Sequence, residues 1–95
     1  MKITVEFLSL PNVVKMVGGK IIAFNMAGTT VEDLIRELGA KYGKGVRQFL
    51  FDETGQLDMS FAVAINKEEL IHRDQLNRTL QDGDRVSIMM LVAGG

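Results

Sequence analysis

Apolar and polar residues alternate at the start of the chain, with Ile3, Val5 and Phe7 separated by Thr4 and Glu6. That period of two predicts a strand with one buried face. Pro11-Asn12 and Gly18-Gly19 bracket a connection, and Lys20-Ile21-Ile22-Ala23-Phe24 then predicts a second strand, giving a β-hairpin with a long loop. From Thr29 the period lengthens. Val31, Leu34, Ile35, Leu38 and Tyr42 fall three and four residues apart, one apolar stripe of a helix. Thr29-Thr30-Val31-Glu32-Asp33 supplies its start, since either threonine can accept an orphan backbone N–H while an acid three places on reaches back. Gly43 predicts a left-handed cap. Gly39, inside the helix at a cost of about 1 kcal/mol relative to alanine, points to close packing there.

The stretch from Lys44 to Ser60 is the least regular. Val46, Phe49 and Leu50 fit one short helical turn, and Asp52-Glu53-Thr54-Gly55 fits a chain reversal. Phe61-Ala62-Val63-Ala64-Ile65 is apolar throughout, as in a strand covered on both faces, and Asn66-Lys67-Glu68-Glu69 turns it back. Asp82-Gly83-Asp84 leads into a last strand over Arg85–Val92. Its alternation buries Val86, Ile88 and Met90 on one face and leaves Ser87, Met89 and Leu91 on the other. This order predicts an α+β fold: a mixed sheet of four to five strands with one main helix on one face. A right-handed crossover through that helix makes the two terminal strands neighbours at the sheet centre, which is the β-grasp, or ubiquitin-like, arrangement.

Composition narrows the chemistry. With 95 residues, 46% of them hydrophobic, the chain suits a single domain over residues 1–95. Eleven basic and twelve acidic residues are well mixed, for a net charge of −1, so no basic stripe offers itself to nucleic acid or to membrane lipid. There is no cysteine, which removes disulfides, thiol catalysis and thiolate metal ligation together. No apolar run approaches a membrane span, and the start of the chain does not read as a leader, so a cytoplasmic location is expected.

His72 is the only histidine, and neither Ser9, Ser60 nor Ser87 lies in a spacing that resembles a nucleophile elbow. One histidine and scattered acids give no metal site. Glu32-Asp33 and Glu68-Glu69 sit where a helix start and a turn want charge. Val17-Gly18-Gly19-Lys20 ends in Ile21 where a phosphate loop needs serine or threonine, so it reads as a glycine turn, and no bound cofactor is expected.

What remains is the terminal Leu91-Val92-Ala93-Gly94-Gly95. Glycines without Cβ let a backbone enter a narrow channel and leave a carboxylate unshielded for a reaction partner. Residues 92–95, beyond the last strand bonds, are expected to form a mobile, reachable tail.

The helix opening Thr29-Thr30-Val31-Glu32-Asp33-Leu34-Ile35, the strand end Val63-Ala64-Ile65-Asn66, the segment Leu80-Gln81-Asp82-Gly83-Asp84-Arg85-Val86 and the terminal Val92-Ala93-Gly94-Gly95 together resemble the β-grasp sulfur carriers. These include the small subunit of molybdopterin synthase and the carrier of thiamine thiazole synthesis. The resemblance covers essentially the whole chain. It implies a non-catalytic carrier, or a small subunit of a sulfur-transfer enzyme, whose Gly95 carboxylate is adenylated by an ATP-using adenylyltransferase of ubiquitin-activating type. A sulfur donor enzyme then converts it to a thiocarboxylate, and the sulfur passes to a small molecule inside the large subunit of a synthase.

Gly94, with Ala93 and Val92, matches the threaded tail. Met89 and Leu91, with Phe7, are candidate partner-binding residues, because flexible methionines suit docking surfaces; the same side chains could instead face a second layer formed by residues 44–60. Where familiar members carry aromatic residues and proline before Val-Ala-Gly-Gly, this chain has Met89-Met90-Leu91. The extra segment after the helix, as in the longer members, inclines the reading to molybdopterin. The alternatives are a carrier for thiamine synthesis, tRNA thiolation, tungsten cofactor or cysteine biosynthesis, a ubiquitin-like modifier joined through Gly95 to lysines, and a plain binding module.

Overall fold

The alternating start of the chain becomes strand β1 (Lys2–Leu8), whose Ile3, Val5 and Phe7 are buried on a single face. A computed structural model describes residues 1–91, less the side chain of Arg73. The connection after β1 is not the expected loop. Ser9, at φ 58°, turns the chain into a helix, α1 (Pro11–Val17), which has proline in its first turn and ends at Gly18 in the left-handed conformation. Leu10 and Val13 are buried and anchor it. Strand β2 (Ile21–Asn25) follows and pairs antiparallel with β1, so the hairpin is present with a helix inserted at its tip.

Helix α2 (Val31–Tyr42) opens on a reciprocal cap. Thr30 Oγ1 accepts the Asp33 N–H at 3.1 Å, and Asp33 Oδ2 accepts the N–H groups of Thr30 and Thr29 at 3.1 and 3.0 Å. Val31, Leu34, Ile35 and Leu38 are buried as the spacing predicts, and Tyr42 is half-buried. Gly43 corrects the expected left-handed cap: at φ 90° and ψ −164° it occupies a region that is essentially glycine's alone. It ends α2 by donating to Gly39 O (2.9 Å) and starts α3 (Lys44–Leu50) by accepting the Arg47 N–H (3.2 Å). The short turn expected near Val46 is therefore two turns of helix. A Cβ on Gly39 would lie 2.7 Å from Arg47 Cγ and 3.3 Å from Phe51 Cε2, which is the close α2–α3 contact that excludes a side chain there.

Strand β3 (Phe61–Ile65) is covered on both faces except at half-buried Ala64. Asn66 and Lys67, both at positive φ, and Glu68, whose N–H donates to Ile65 O (3.1 Å), form a three-residue turn that reverses it into β4 (Glu69–Ile71). The final strand, β5 (Arg85–Met90), completes a sheet of order β2-β1-β5-β3-β4. It runs parallel to β1 and antiparallel to β3, so the two terminal strands are central neighbours as expected. The Asp82-Gly83-Asp84 segment holds that junction. Lys2 N–H donates to Asp82 Oδ1 (2.7 Å), Gly83 N–H to Lys2 O (2.8 Å), and Gln81 N–H to Asp84 Oδ2 (2.8 Å). Asn66 locks it from the other side, donating to Asp84 Oδ1 and accepting the Arg85 N–H.

One face of the sheet carries Ile3, Val5, Phe7, Phe24, Val63, Ile65, Val86 and Ile88 into a core shared with the helices. Met90 departs from this pattern. It stands on the last rung of the ladder, opposite Phe61, and is 39% exposed instead of buried.

Candidate functional site

Gly95, Gly94, Ala93 and Val92 lie outside the described residues; the structure describes the strand that leads into them. β5 is bonded along both edges, to β1 and to β3, so the point at which the chain leaves the sheet is fixed by two ladders. Among the described residues, the last main-chain bond runs from Leu91 N–H to Ser60 O at 2.6 Å. Around this exit stand Met90, Leu91 (54% exposed) and Met59 (73% exposed), an apolar collar with the tilted Phe49–Phe61 ring pair behind it.

Met89 is half-buried on the face away from the helices, between Leu8 on β1 and Ala62 on β3. Met89 and Leu91 are therefore accessible from the open face. Phe7 is not. It shares the parity of Ile3 and Val5, points into the core and is 1% exposed, so its assignment to a docking surface is corrected. The helical segment over residues 44–50 packs against α2 and α1. That places it on the core side, and it does not form a second layer over Met89.

Sequence reasoning missed a buried polar pair beneath the open face. Glu6 and Ser87, paired across β1 and β5, are 5% and 1% exposed, and Ser87 Oγ donates to Glu6 Oε1 at 3.2 Å. Lys67 Nζ and an Arg85 nitrogen stand 3.8 and 3.9 Å from the same oxygen. A buried carboxylate is costly without such partners. The signal was available in the even parity of Glu6 and the odd parity of Ser87 on strands that the fold places side by side.

The other sequence candidates have local structural roles. The Gly18 and Gly19 N–H groups both donate to Val14 O (2.9 and 3.1 Å), so they cap α1 and do not cradle a phosphate. His72 is exposed and caps a single 3-10 turn over Arg73–Gln75. Ser60 N–H is held by Asp58. No group of three or more metal-ligating side chains occurs among the described residues, and no helix among them is long and apolar enough to cross a membrane. The backbone N–H groups of Thr29 and Thr30 hold the Asp33 carboxyl down at about 2. A two-point hydrogen bond from Arg78 lowers Glu69, and Glu69 raises Arg78.

A five-stranded mixed sheet with parallel, centrally paired first and fifth strands and a helix packed on one face defines a β-grasp, ubiquitin-like protein. The ThiS family model matches residues 13–95, and the chain belongs to that family. It is similar to Small archaeal modifier protein 3 of Haloferax volcanii, 34% identical over 82 residues that cover 85% of this chain and 87% of that protein. It is also similar to the Sulfur carrier protein CysO of Mycobacterium tuberculosis, 30% identical over 90 residues, 93% and 96% of the two chains. Among solved structures, the BexX/CysO complex of Amycolatopsis orientalis contains a chain that superposes with a TM-score of 0.71 at 27% identity, covering 98% of this chain and 99% of that one. Relatives of this chain are thus small carrier and modifier proteins, and one of them forms a complex with a second protein.

Proposed function

We propose that this chain is a sulfur carrier working through Gly95. A partner activating enzyme joins the Gly95 carboxylate to the adenylyl group of ATP, releasing pyrophosphate. A sulfur donor enzyme then supplies a sulfur nucleophile that displaces AMP and leaves a thiocarboxylate. The thiocarboxylate sulfur attacks an electrophilic carbon of a small-molecule acceptor in a partner synthase, displacing that carbon's leaving group, and water then cleaves the acyl–sulfur bond, which leaves the sulfur on the acceptor and a carboxylate on Gly95. The chain supplies no catalytic group of its own: it presents the reacting carbon and docks through the open face at Met89 and Leu91, with Met59 and Met90 at the rim.

The single observation that carries this reading is the placement of β5, a central strand held on both edges that leads directly into the Gly94-Gly95 end. A molybdopterin precursor is the proposed acceptor, on the strength of the segment between α2 and β3, here α3 and its following turn. A second reading, a protein modifier joined through Gly95 to lysine amines, is favoured by the 34% identity to the archaeal modifier.

The test is the intact mass of the untagged protein isolated from its own cells, with mapping of the last peptide. Replacement of one Gly95 oxygen by sulfur is the expected result. Gly95 remnants on lysines of other proteins would move the function to the modifier, and an unmodified carboxylate in cells making the pathway product would refute both.

A further inference from the structure

The sheet has two edges, and they are finished differently. β4 is three residues long and starts at Glu69, which is clamped by Arg78 through bonds of 2.8 and 2.9 Å. A short strand with charged residues is a usual guard against further pairing. β2 is five residues, Ile-Ile-Ala-Phe-Asn, with no charge and no proline.

Its register fixes which backbone groups are free. The Met26 N–H donates to Met1 O (2.9 Å) and the Phe7 N–H to Lys20 O (2.8 Å), so Lys20, Ile22, Phe24 and Met26 direct their backbone groups to β1. Ile21, Ala23 and Asn25 therefore direct theirs away from the sheet, and they have no hydrogen-bond partner among the described residues. All three are exposed, Ile21 by 51%.

This edge is also basic. Lys20 is exposed at its start, and Lys41 Nζ stands 5.3 Å from the ring centroids of both Phe24 and Tyr42, held over the helix side of the strand. Neither lysine pairs with a carboxylate among the described residues. Glu37, past the end of β2, has its oxygens taken by the N–H groups of Ala27 and Gly28 at 2.8 Å each. Antiparallel pairing of two β2 edges about Ala23 would set two Lys41 ammonium groups on one side of the joined sheet, which disfavours a second copy of this chain.

We propose that the β2 edge receives an extended segment of a partner protein, apolar in its alternating residues and flanked by acids, as a sixth strand. Main-chain bonds to Ile21, Ala23 and Asn25 supply affinity, and Lys20 and Lys41 select the acidic flank. This edge lies two strands, roughly 10 Å, from β5, so the proposal does not depend on the chemistry of Gly95.

The test uses the full chain and a blocked peptide of alternating valine and isoleucine followed by aspartates and a glutamate, read by amide NMR and hydrogen exchange. The amides of Ile21, Ala23 and Asn25 are expected to shift and to gain protection on peptide addition. Lys20→Glu with Lys41→Glu should weaken binding about tenfold or more. A probe N-methylated at alternate amides should not bind; because it leaves the protein unaltered, this arm decides even if a variant misfolds. The proposal is overturned if the shifted amides lie on β5, if a lysine-tailed peptide binds as well, or if protection of β2 grows with protein concentration alone, which would make the occupant a second copy.

Discussion

Gly39→Ala sets two magnitudes of opposite sign against each other. Alanine in a helix interior gains about 1 kcal/mol over glycine. The added methyl, however, would stand 2.7 Å from Arg47 Cγ and 3.3 Å from Phe51 Cε2, where carbon atoms prefer about 3.5–4.0 Å. Arg47 must move by most of an ångström near the root of its side chain, and overpacking of this kind costs about 1–3 kcal/mol. The variant should therefore lose up to about 2 kcal/mol, a fall in Tm of several degrees. In an Arg47→Ala background the obstructing Cγ is gone, and the same change should be neutral or stabilising. Urea unfolding of the four proteins followed by circular dichroism gives the coupling, expected at about 1–2 kcal/mol. An equal loss in both backgrounds would show that the α2–α3 contact does not limit this position.

Deletion of Gly95 should leave unfolding within about 0.5 kcal/mol of wild type while abolishing thiocarboxylate formation, measured by intact mass after reaction with the activating enzyme. Leu34→Ala, at a fully buried position of α2, should cost about 2–5 kcal/mol in the same urea assay. The Asp33 carboxyl titrates at about 2 when folded against a usual 3.8, so its cap contributes fully above the higher value and is lost as pH falls through the lower. Acid titration of stability should show that decline, and Asp33→Asn should remove it.

Much of this fold was legible because single faces carry it. The alternation of Ile3, Val5 and Phe7 and the stripe from Val31 to Leu38 each mark a buried face. Thr30 and Asp33 announce the cap of α2 at the correct spacing. α1 was missed because its three valines favour no helix and its N-cap, Leu10, offers no side-chain acceptor; Pro11 in the first turn was the available signal. Met90 misled because alternation gives the side of a sheet and not how far the covering layer extends. For the site, sequence pointed to the glycine end and to Met89 and Leu91. The exposed Met59 could not be linked to them, since the pairing of Phe61 with Met90 and the bond from Leu91 to Ser60 bring that distant segment to the exit.

The parallel β1–β5 ladder also governs when the protein can exist at all. The strand at the middle of the sheet follows the other four described strands in the chain, so β1 and β3 wait without a shared neighbour until Arg85–Met90 is available to pair. Closing contacts so distant in sequence is slow, and the waiting strands are open to misassociation meanwhile. A chain interrupted earlier lacks its central strand. Translational fragments should therefore go to proteases instead of lingering as folded bodies.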